Sequence, residues 1–410
     1  MRAEILCVGT ELLMGQVLNT NTRFLAQGLA PMGIDLYYQL VVGDNPMRLE
    51  EAVKTSLSRS DILLLSGGLG PTEDDLTKET VAAAMDMGPL ELVPEEWDKI
   101  VAYFARTGRI PSPNNRKQAM FPREGCRILP NPKGTAPGCI FEKDGKTAIL
   151  MPGPPRELIP MFQEQVAPYL ASKSDHRLYS RELRIFGMGE GAVEYSLLPL
   201  IDGQTNPTLA TYAETGEVKL RITARCQNES EGEKILTPYL ERVRALLGDV
   251  VYSDEGKNLA QCCHEALIAQ NKTLSCAESC TGGLLSSAFI DLPGSSSYFL
   301  EGDVTYAETA KMASLGVRKE TLTAYTAVSA QCAKEMAEGM RKRAQTDFAL
   351  ATTGYAGPDG IEVGHVFVAL AADSGTQVKE LHLTGDRSRI RQVTVLHALD
   401  ILRRKLCTNK

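Results

Sequence analysis

No stretch of the 410-residue chain is apolar for long enough to form a membrane-spanning helix. Charges at Arg2 and Glu4 interrupt the start, so no signal peptide is visible and the cytoplasm is the expected location. The ten cysteines are scattered, with Cys262 and Cys263 adjacent and no paired C-x-x-C spacing. That pattern excludes a zinc ribbon and reads as reduced thiols. Positive charge is not in excess either: the formal net charge is −7, which argues against a dedicated nucleic-acid binder. What is present is ordinary for a globular chain, with 43% hydrophobic residues and mixed charge. At this length one core is too few, and two or three domains are expected.

The first third alternates apolar runs with helical spacing. Glu4 to Val8, Ile34 to Val42 and Asp61 to Leu65 read as strands, separated by helices over about 21–32 and 48–58. This rhythm implies a parallel sheet with helices on both faces, whose ligands gather at the carboxyl ends of its strands. Those ends carry Glu11, Asp44 and the stretch Ser66-Gly67-Gly68-Leu69-Gly70-Pro71-Thr72-Glu73-Asp74-Asp75. The glycines can form a nest of N–H groups around a phosphate, and Asp74 and Asp75 can hold a hard divalent cation, Mg2+ above all. The competing reading makes the two aspartates caps for a helix over 76–87. The spacing is not the dinucleotide fingerprint, because the third glycine is misplaced. Asn114 to Ala119, including Lys117, reads from its residues alone as solvated surface. Strands over 139–142 and 146–151 flank a hairpin turn at Lys143-Asp144-Gly145, and Pro152-Gly153-Pro154-Pro155 opens a helix.

The middle is a small α+β unit. A strand over 182–186, a glycine loop at 187–191, a hairpin over 208–224 and a helix to Leu247 are expected. The glycine loop resembles that of KH domains, but the local charge is mixed and no aromatic platform is present, so a spacer or dimerisation module is the preferred reading. Asp254 to Asn258 reads as a linker.

In the last third, Leu274-Ser275-Cys276 leads into Ala277-Glu278-Ser279-Cys280-Thr281-Gly282-Gly283 and then a helix. A strand, a tight turn and a helix start offer two candidate nucleophiles, Ser279 and Cys280, and free N–H groups for an anion or oxyanion. Thr281 is the expected hydroxyl cap. The shape alone fits a capped packing turn equally well. Histidines here lie in predicted strands and helices, so Lys311 is the better candidate base for Ser279, provided that it is neutral. A helical lysine is otherwise a solvated charge. Cys332, Met336 and Met340 form an apolar stripe that reads as core. Further strands are expected over 347–352, 363–369 and 378–383, and a final helix over 388–406.

Gly9-Thr10-Glu11-Leu12-Leu13, SGGLGPTEDDLT at 66–77, NNRKQA at 114–119, GTAPG at 134–138 and MPGPPRE at 151–157 resemble the N-terminal domain of the CinA family. AESCTGG at 277–283, Val304-Thr305-Tyr306 with Lys311, Ala327-Val328-Ser329, Thr353-Gly354-Tyr355-Ala356-Gly357-Pro358 and Gly385-Asp386-Arg387 resemble its C-terminal domain. The resemblance implies an α/β chain of three parts. Residues 1–172 would be a molybdopterin-binding-like parallel-sheet domain, associated in some members with ADP-ribose pyrophosphatase activity. Residues 173–253 would be a small α+β linking domain. Residues 254–410 would be an α/β domain similar to nicotinamide-nucleotide amidohydrolases, which deamidate nicotinamide mononucleotide.

Carried over by position, the resemblance makes Ser279 the nucleophile, Lys311 its base and Tyr306 a shaping residue. Glu278, Cys280, Thr281, Gly282, Gly283, Thr353, Gly354, Gly357 and Arg387 would contact the substrate, with Arg387 on its phosphate. In the N-domain, Glu11, Asp44, Gly67, Gly68, Gly70, Thr72, Lys117, Gly153 and Pro154 would surround the ligand, with the metal on Asp74 and Asp75. The C-domain would need no cofactor, and a homodimer without membrane or direct nucleic-acid contact is implied. Two departures stand out: Glu308 where the family has Asn, and a shortened loop after Pro358. The alternative is a pterin- or nucleotide-binding protein with an inactive C-domain, tied to competence or DNA damage.

Overall fold

Apolar runs that alternate between two buried faces dictate the layers of both main sheets. A computed structural model describes residues 1–106, 108–174, 177–358 and 362–407. Contacts divide the chain into two compact units, Met1–Ser180 with Ala224–Lys234 and Arg181–Thr223 with Ile235–Lys410.

The first unit holds β1 (Arg2–Val8), β2 (Asp35–Val42), β3 (Ile62–Ser66), β4 (Leu90–Leu92), β5 (Met120–Pro122), β6 (Cys126–Leu129), β7 (Gly138–Lys143) and β8 (Lys146–Met151). Six of them form one sheet in the order β2-β1-β3-β8-β7-β6. Ile5 and Cys7 of β1 join Leu64, Ile140 and Ile149 in the core on one face. Leu6 and Val8 join Leu63, Leu65 and Phe141 in the core on the other. Each buried Leu, Ile or Phe contributes about 1.5–3 kcal/mol, so both faces must stay covered.

The sheet is mixed rather than parallel throughout. β1 pairs in parallel with β2 and β3, and β3 with β8, but β7 returns antiparallel beside β8 and β6 beside β7. The cause is the hairpin turn: Asp144 and Gly145 both take positive φ, 50° and 76°, a two-residue turn that forces the next strand back alongside. β4 and β5 form a separate antiparallel ribbon with no counterpart in the sequence reading. Residues 114–119 are a solvated surface only in part, with Asn114 and Arg116 exposed. They lie in a 3-10 helix, Pro113–Ala119, in which Asn115, Gln118 and Ala119 are buried.

A four-stranded sheet, β10-β11-β9-β12, is built from β9 (Arg177–Phe186), β10 (Thr208–Glu214), β11 (Glu217–Cys226) and β12 (Val251–Ser253). Its hairpin is the one expected, turning at Thr215-Gly216.

The last third forms a five-stranded sheet, β14-β13-β15-β16-β17, from β13 (Leu274–Glu278), β14 (Phe299–Val304), β15 (Phe348–Gly354), β16 (His365–Ala372) and β17 (Gly375–His382). β13 lies between β14 and β15, parallel to both, while β16 and β17 run antiparallel. Cys276, Leu350 and Val368 pack under the helices Leu259–Ala269 and Arg387–Cys407. Ala277, Ala351 and Phe367 pack under the helix Ala330–Ala344, through the Cys332, Met336 and Met340 stripe. Thr305 and Tyr306 lie just beyond the end of β14, and the helix Lys319–Tyr325 was not foreseen. No helix among the described residues is long and apolar enough to cross a membrane.

Candidate functional site

In the C-terminal sheet the chain leaves β13 toward β14 on one side and β15 on the other. The carboxyl end of β13 is therefore a topological switch point, where open α/β sheets bind ligands. Ser279 is the first residue past that end. Its N–H donates to Thr352 O at 3.0 Å, so the turn is pinned to the neighbouring strand. Gly282 and Gly283 hold φ of +57° and +96°, which lets the chain reverse into the helix Leu284–Ile290.

Lys311 is not a surface charge. It is 1% exposed, and its Nζ lies 3.0 Å from Ser279 Oγ. Nζ also donates to Thr305 O at 2.7 Å and Tyr306 O at 3.1 Å. Burial pushes the amine below its ordinary value. Its place in the first turn of the helix Glu308–Leu315, at the positive end of the dipole, acts in the same direction. The nearby Glu308 carboxylate opposes the shift. A lysine with a lowered pKa within hydrogen-bond reach of a serine has the geometry that a general base on a nucleophile needs.

Cys280 is the rival nucleophile, and burial pushes its thiol up to about 11. The thiolate is thereby disfavoured, which makes Ser279 the better candidate of the two.

Several expected substrate contacts are occupied within the protein. Glu278 is fully buried at the end of β13 rather than in the turn. Its carboxylate accepts from Gly283 N, Leu285 N, Ser286 N and Ser286 Oγ at 2.6–3.1 Å, which caps the following helix. The cap is this glutamate and not Thr281, whose hydroxyl pairs with Thr352 Oγ1 at 2.7 Å. Thr353 Oγ1 donates to Ala327 O at 2.7 Å. The N–H of Gly283 is taken by Glu278 and that of Gly282 by Ser279 O. Among the described residues, no carbonyl accepts from the N–H groups of Cys280 and Thr281. Both N–H groups approach the Cys280 thiol, a weak acceptor that an oxyanion could displace, which makes these two positions the candidate oxyanion donors. Gly354 is a close approach between strands, since a Cβ there would lie 2.6 Å from a Val366 methyl.

Tyr306 is 64% exposed, just beyond the end of β14. Arg387 Nη2 reaches its hydroxyl at 3.5 Å, and Nη1 donates to Gly357 O at 2.6 Å. Arg391 was missed from the sequence. Its guanidinium donates to Cys280 O at 3.1 Å and Thr281 O at 2.7 Å, clamping the nucleophile turn. The available signal was its spacing: Arg391 lies four residues after Arg387 and so shares its helix face. Of the loop after Pro358, residues 359–361 lie outside the described residues.

In the N-terminal sheet, β1 lies between β2 and β3, which creates the same kind of switch point. A cleft of about 400 Å³ opens there, lined by Glu11, Asp44, Gly67, Gly68, Gly70, Asp74, Asp75, Gly153 and Pro154 as expected, and by Gln118, Thr135 and Glu157 in addition. Gly67 and Gly68 have φ of +103° and +66°. A Cβ would lie 2.2 Å from Val8 O at the first and 2.0 Å from Thr77 Oγ1 at the second. Thr72 and Lys117 do not line the cleft. The Thr72 hydroxyl donates to Asp75 Oδ2 at 2.5 Å, and Lys117 Nζ donates to Thr72 O at 2.5 Å, so both brace the loop.

Asp44 is partly spent as well, accepting from Thr10 N and Oγ1. Hydrogen bonding from Thr72 holds the Asp74 carboxyl below its usual value and therefore ionised. The cleft lining carries Glu11, Asp44, Asp74, Asp75 and Glu157 but, among the described residues, no Lys or Arg. Hard oxygen donors of this kind fit Mg2+, which completes its shell with water and ligand oxygens.

Three family models match the chain: "Probable molybdopterin binding domain" over 4–172, "Damage-inducible protein CinA KH domain" over 180–253 and "CinA C-terminal domain" over 256–406. A putative competence-damage inducible protein of Acetivibrio thermocellus is 48% identical over 408 residues, covering 98% of each chain. One from Thermoanaerobacter pseudethanolicus is 48% identical over 410 residues, covering 99% of this chain and 98% of the relative. The crystal structure of a competence/damage inducible protein from Agrobacterium tumefaciens is 40% identical, covers 37% of this chain and 94% of its own, and has a TM-score of 0.36.

Proposed function

The chain belongs to the CinA family of competence-damage inducible proteins, and we propose that its C-terminal domain hydrolyses the carboxamide of nicotinamide mononucleotide. The observation that carries this reading is the 3.0 Å approach of a buried Lys311 amine to Ser279 Oγ. Ser279 Oγ attacks the carboxamide carbon while its proton passes to neutral Lys311. The tetrahedral oxyanion faces the N–H groups of Cys280 and Thr281, held in place by Arg391. Lys311 then returns the proton to the departing nitrogen, ammonia leaves, and an acyl ester remains on Ser279. Water attacks the ester carbon and gives its proton to Lys311. The C–Oγ bond breaks, Oγ recovers the proton, and the carboxylic acid is released. Arg387 supplies a planar pair of donors for the substrate phosphate.

Ammonia release from nicotinamide mononucleotide is expected in the wild type and to fall by about 10³-fold or more in Ser279→Ala. Equal rates would remove Ser279 as nucleophile, and no release by either protein would remove the reaction.

For the N-terminal domain, the same proposal assigns hydrolysis of a nucleotide diphosphate such as ADP-ribose. The support is the electrostatics of the cleft: an anionic diphosphate faces five carboxylates and therefore enters only with a cation. When bound, Mg2+ would supply that neutralising charge, with Asp74 and Asp75 holding it. The glycine loop at 67–70 offers its backbone to the phosphates. Asp74→Ala and Asp75→Ala are expected to abolish Mg2+-dependent release of AMP from ADP-ribose while leaving ammonia release intact. Binding of ADP-ribose without hydrolysis by the wild type would instead favour a binding domain.

A further inference from the structure

A second cluster of chemistry-bearing side chains, none of them among the site residues described above, lies at the ends of β16 and β17. His365 and His382 are directly opposite in the antiparallel register, and Glu380 is opposite Phe367, so all three side chains emerge on one face of the sheet. The imidazole rings stack at 4.7 Å, 12° from parallel. His365 Nε2 lies 2.7 Å and His382 Nε2 3.6 Å from the same Glu380 oxygen. One ligand atom from each residue lies within 4.8 Å of the other two. We propose that His365, Glu380 and His382 form a binding site for a borderline divalent transition metal, with Zn2+ as the best fit.

The distances support the assignment. A tetrahedral ion bound at about 2.0–2.2 Å separates its ligand atoms by roughly 3.3 Å, which the two contacts to Glu380 bracket. Small side-chain rotations close the site. Two imidazoles and a carboxylate select zinc-like ions over Mg2+ or Ca2+, which prefer all-oxygen shells.

His365 also has the outer contact that bound histidines need. Its Nδ1 lies 3.5 Å from Glu362 Oε2, so with Nε2 on the metal the other ring nitrogen faces a carboxylate. The backbone is braced on both sides: Tyr355 N donates to His365 O at 2.9 Å and Leu383 N to Gly364 O at 2.8 Å. The site is solvent-accessible, with Glu380 and His382 exposed, so water or an outside ligand completes the shell.

Equilibrium dialysis of the full chain against Zn2+ tests the proposal, because it counts ions whatever else the thiols or the N-terminal cleft retain. His382→Ala and Glu380→Ala are each expected to bind one equivalent fewer than the wild type. Glu362→Gln is expected to keep the equivalent with about 10- to 100-fold weaker affinity. Zn2+ is expected to raise the melting temperature of the wild type more than that of His382→Ala. Melting curves without metal check that the variants fold, and His382→Gln serves if the alanine variant does not. Equal stoichiometry in the wild type and folded variants, or no bound Zn2+ in the wild type, overturns the site.

Discussion

Lys311→Met is expected to lower kcat for ammonia release by about 10³-fold or more while leaving KM within about twofold. Methionine keeps the length of the side chain and removes the basic atom hydrogen-bonded to Ser279 Oγ. The substrate groups that set affinity lie on other residues, so the loss falls on the chemical step. A melting temperature near that of the wild type is expected alongside. Two carbonyls, Thr305 O and Tyr306 O, lose a donor, at about 1–3 kcal/mol each. The opposing gain is relief from burying an amine.

That gain has a definite sign with pH. The folded-state pKa of Lys311 lies below its ordinary 10.5, so between the two values the unfolded chain binds more protons. Wild-type stability therefore rises with pH through that window and is penalised below it, and Lys311→Met lacks this dependence. Wild-type kcat/KM is expected to rise over the lower part of the same range as the amine becomes neutral. Glu308→Asn removes a carboxylate that favours the charged amine, and moves the rise to lower pH. A Lys311→Met enzyme with wild-type kcat would end its assignment as base.

Glu278→Ala is expected to destabilise the C-terminal domain by about 3–5 kcal/mol. The carboxylate is fully buried and accepts from Gly283 N, Leu285 N, Ser286 N and Ser286 Oγ. Alanine leaves the buried Leu285 N–H with no partner and takes the acceptor from the part-buried Gly283 and Ser286 donors. Glu278→Gln is expected to cost less, about 1–3 kcal/mol, since its carbonyl can serve one pair of donors while its NH2 opposes the other. Because the same carboxylate orients the turn that carries Ser279, both variants should also lose ammonia release. Denaturant midpoints measure the first effect. A change below about 1 kcal/mol in both variants would show that the turn holds its shape without this cap.

Much of the architecture is readable from local pattern. Ile62 to Leu65 is a strand because a short apolar run buried on both faces has no better solution between two helices. Ser329 heads its helix because its short hydroxyl side chain can accept from Cys332 N, at 3.2 Å. Asp144-Gly145 is a turn because its backbone takes positive φ at both positions. The same turn makes the sheet mixed, a consequence that the strand rhythm alone did not convey. Ribbon β4/β5 escaped notice because three-residue strands carry too little periodicity.

The sites divide in the same way. From the sequence by itself come the nucleophile turn, the glycine loop, the paired aspartates and the candidates Ser279 and Lys311, because glycine, hydroxyl and charge announce themselves locally. Only the tertiary structure decides which of these groups are free to act. Glu278 and Thr353 are used up inside the fold, and Thr72 and Lys117 brace a loop. Lys311 is buried against a serine 32 residues away, and Arg391 clamps a carbonyl 110 residues away. Burial and hydrogen-bond satisfaction are properties of the packed chain, set by partners that no local window contains.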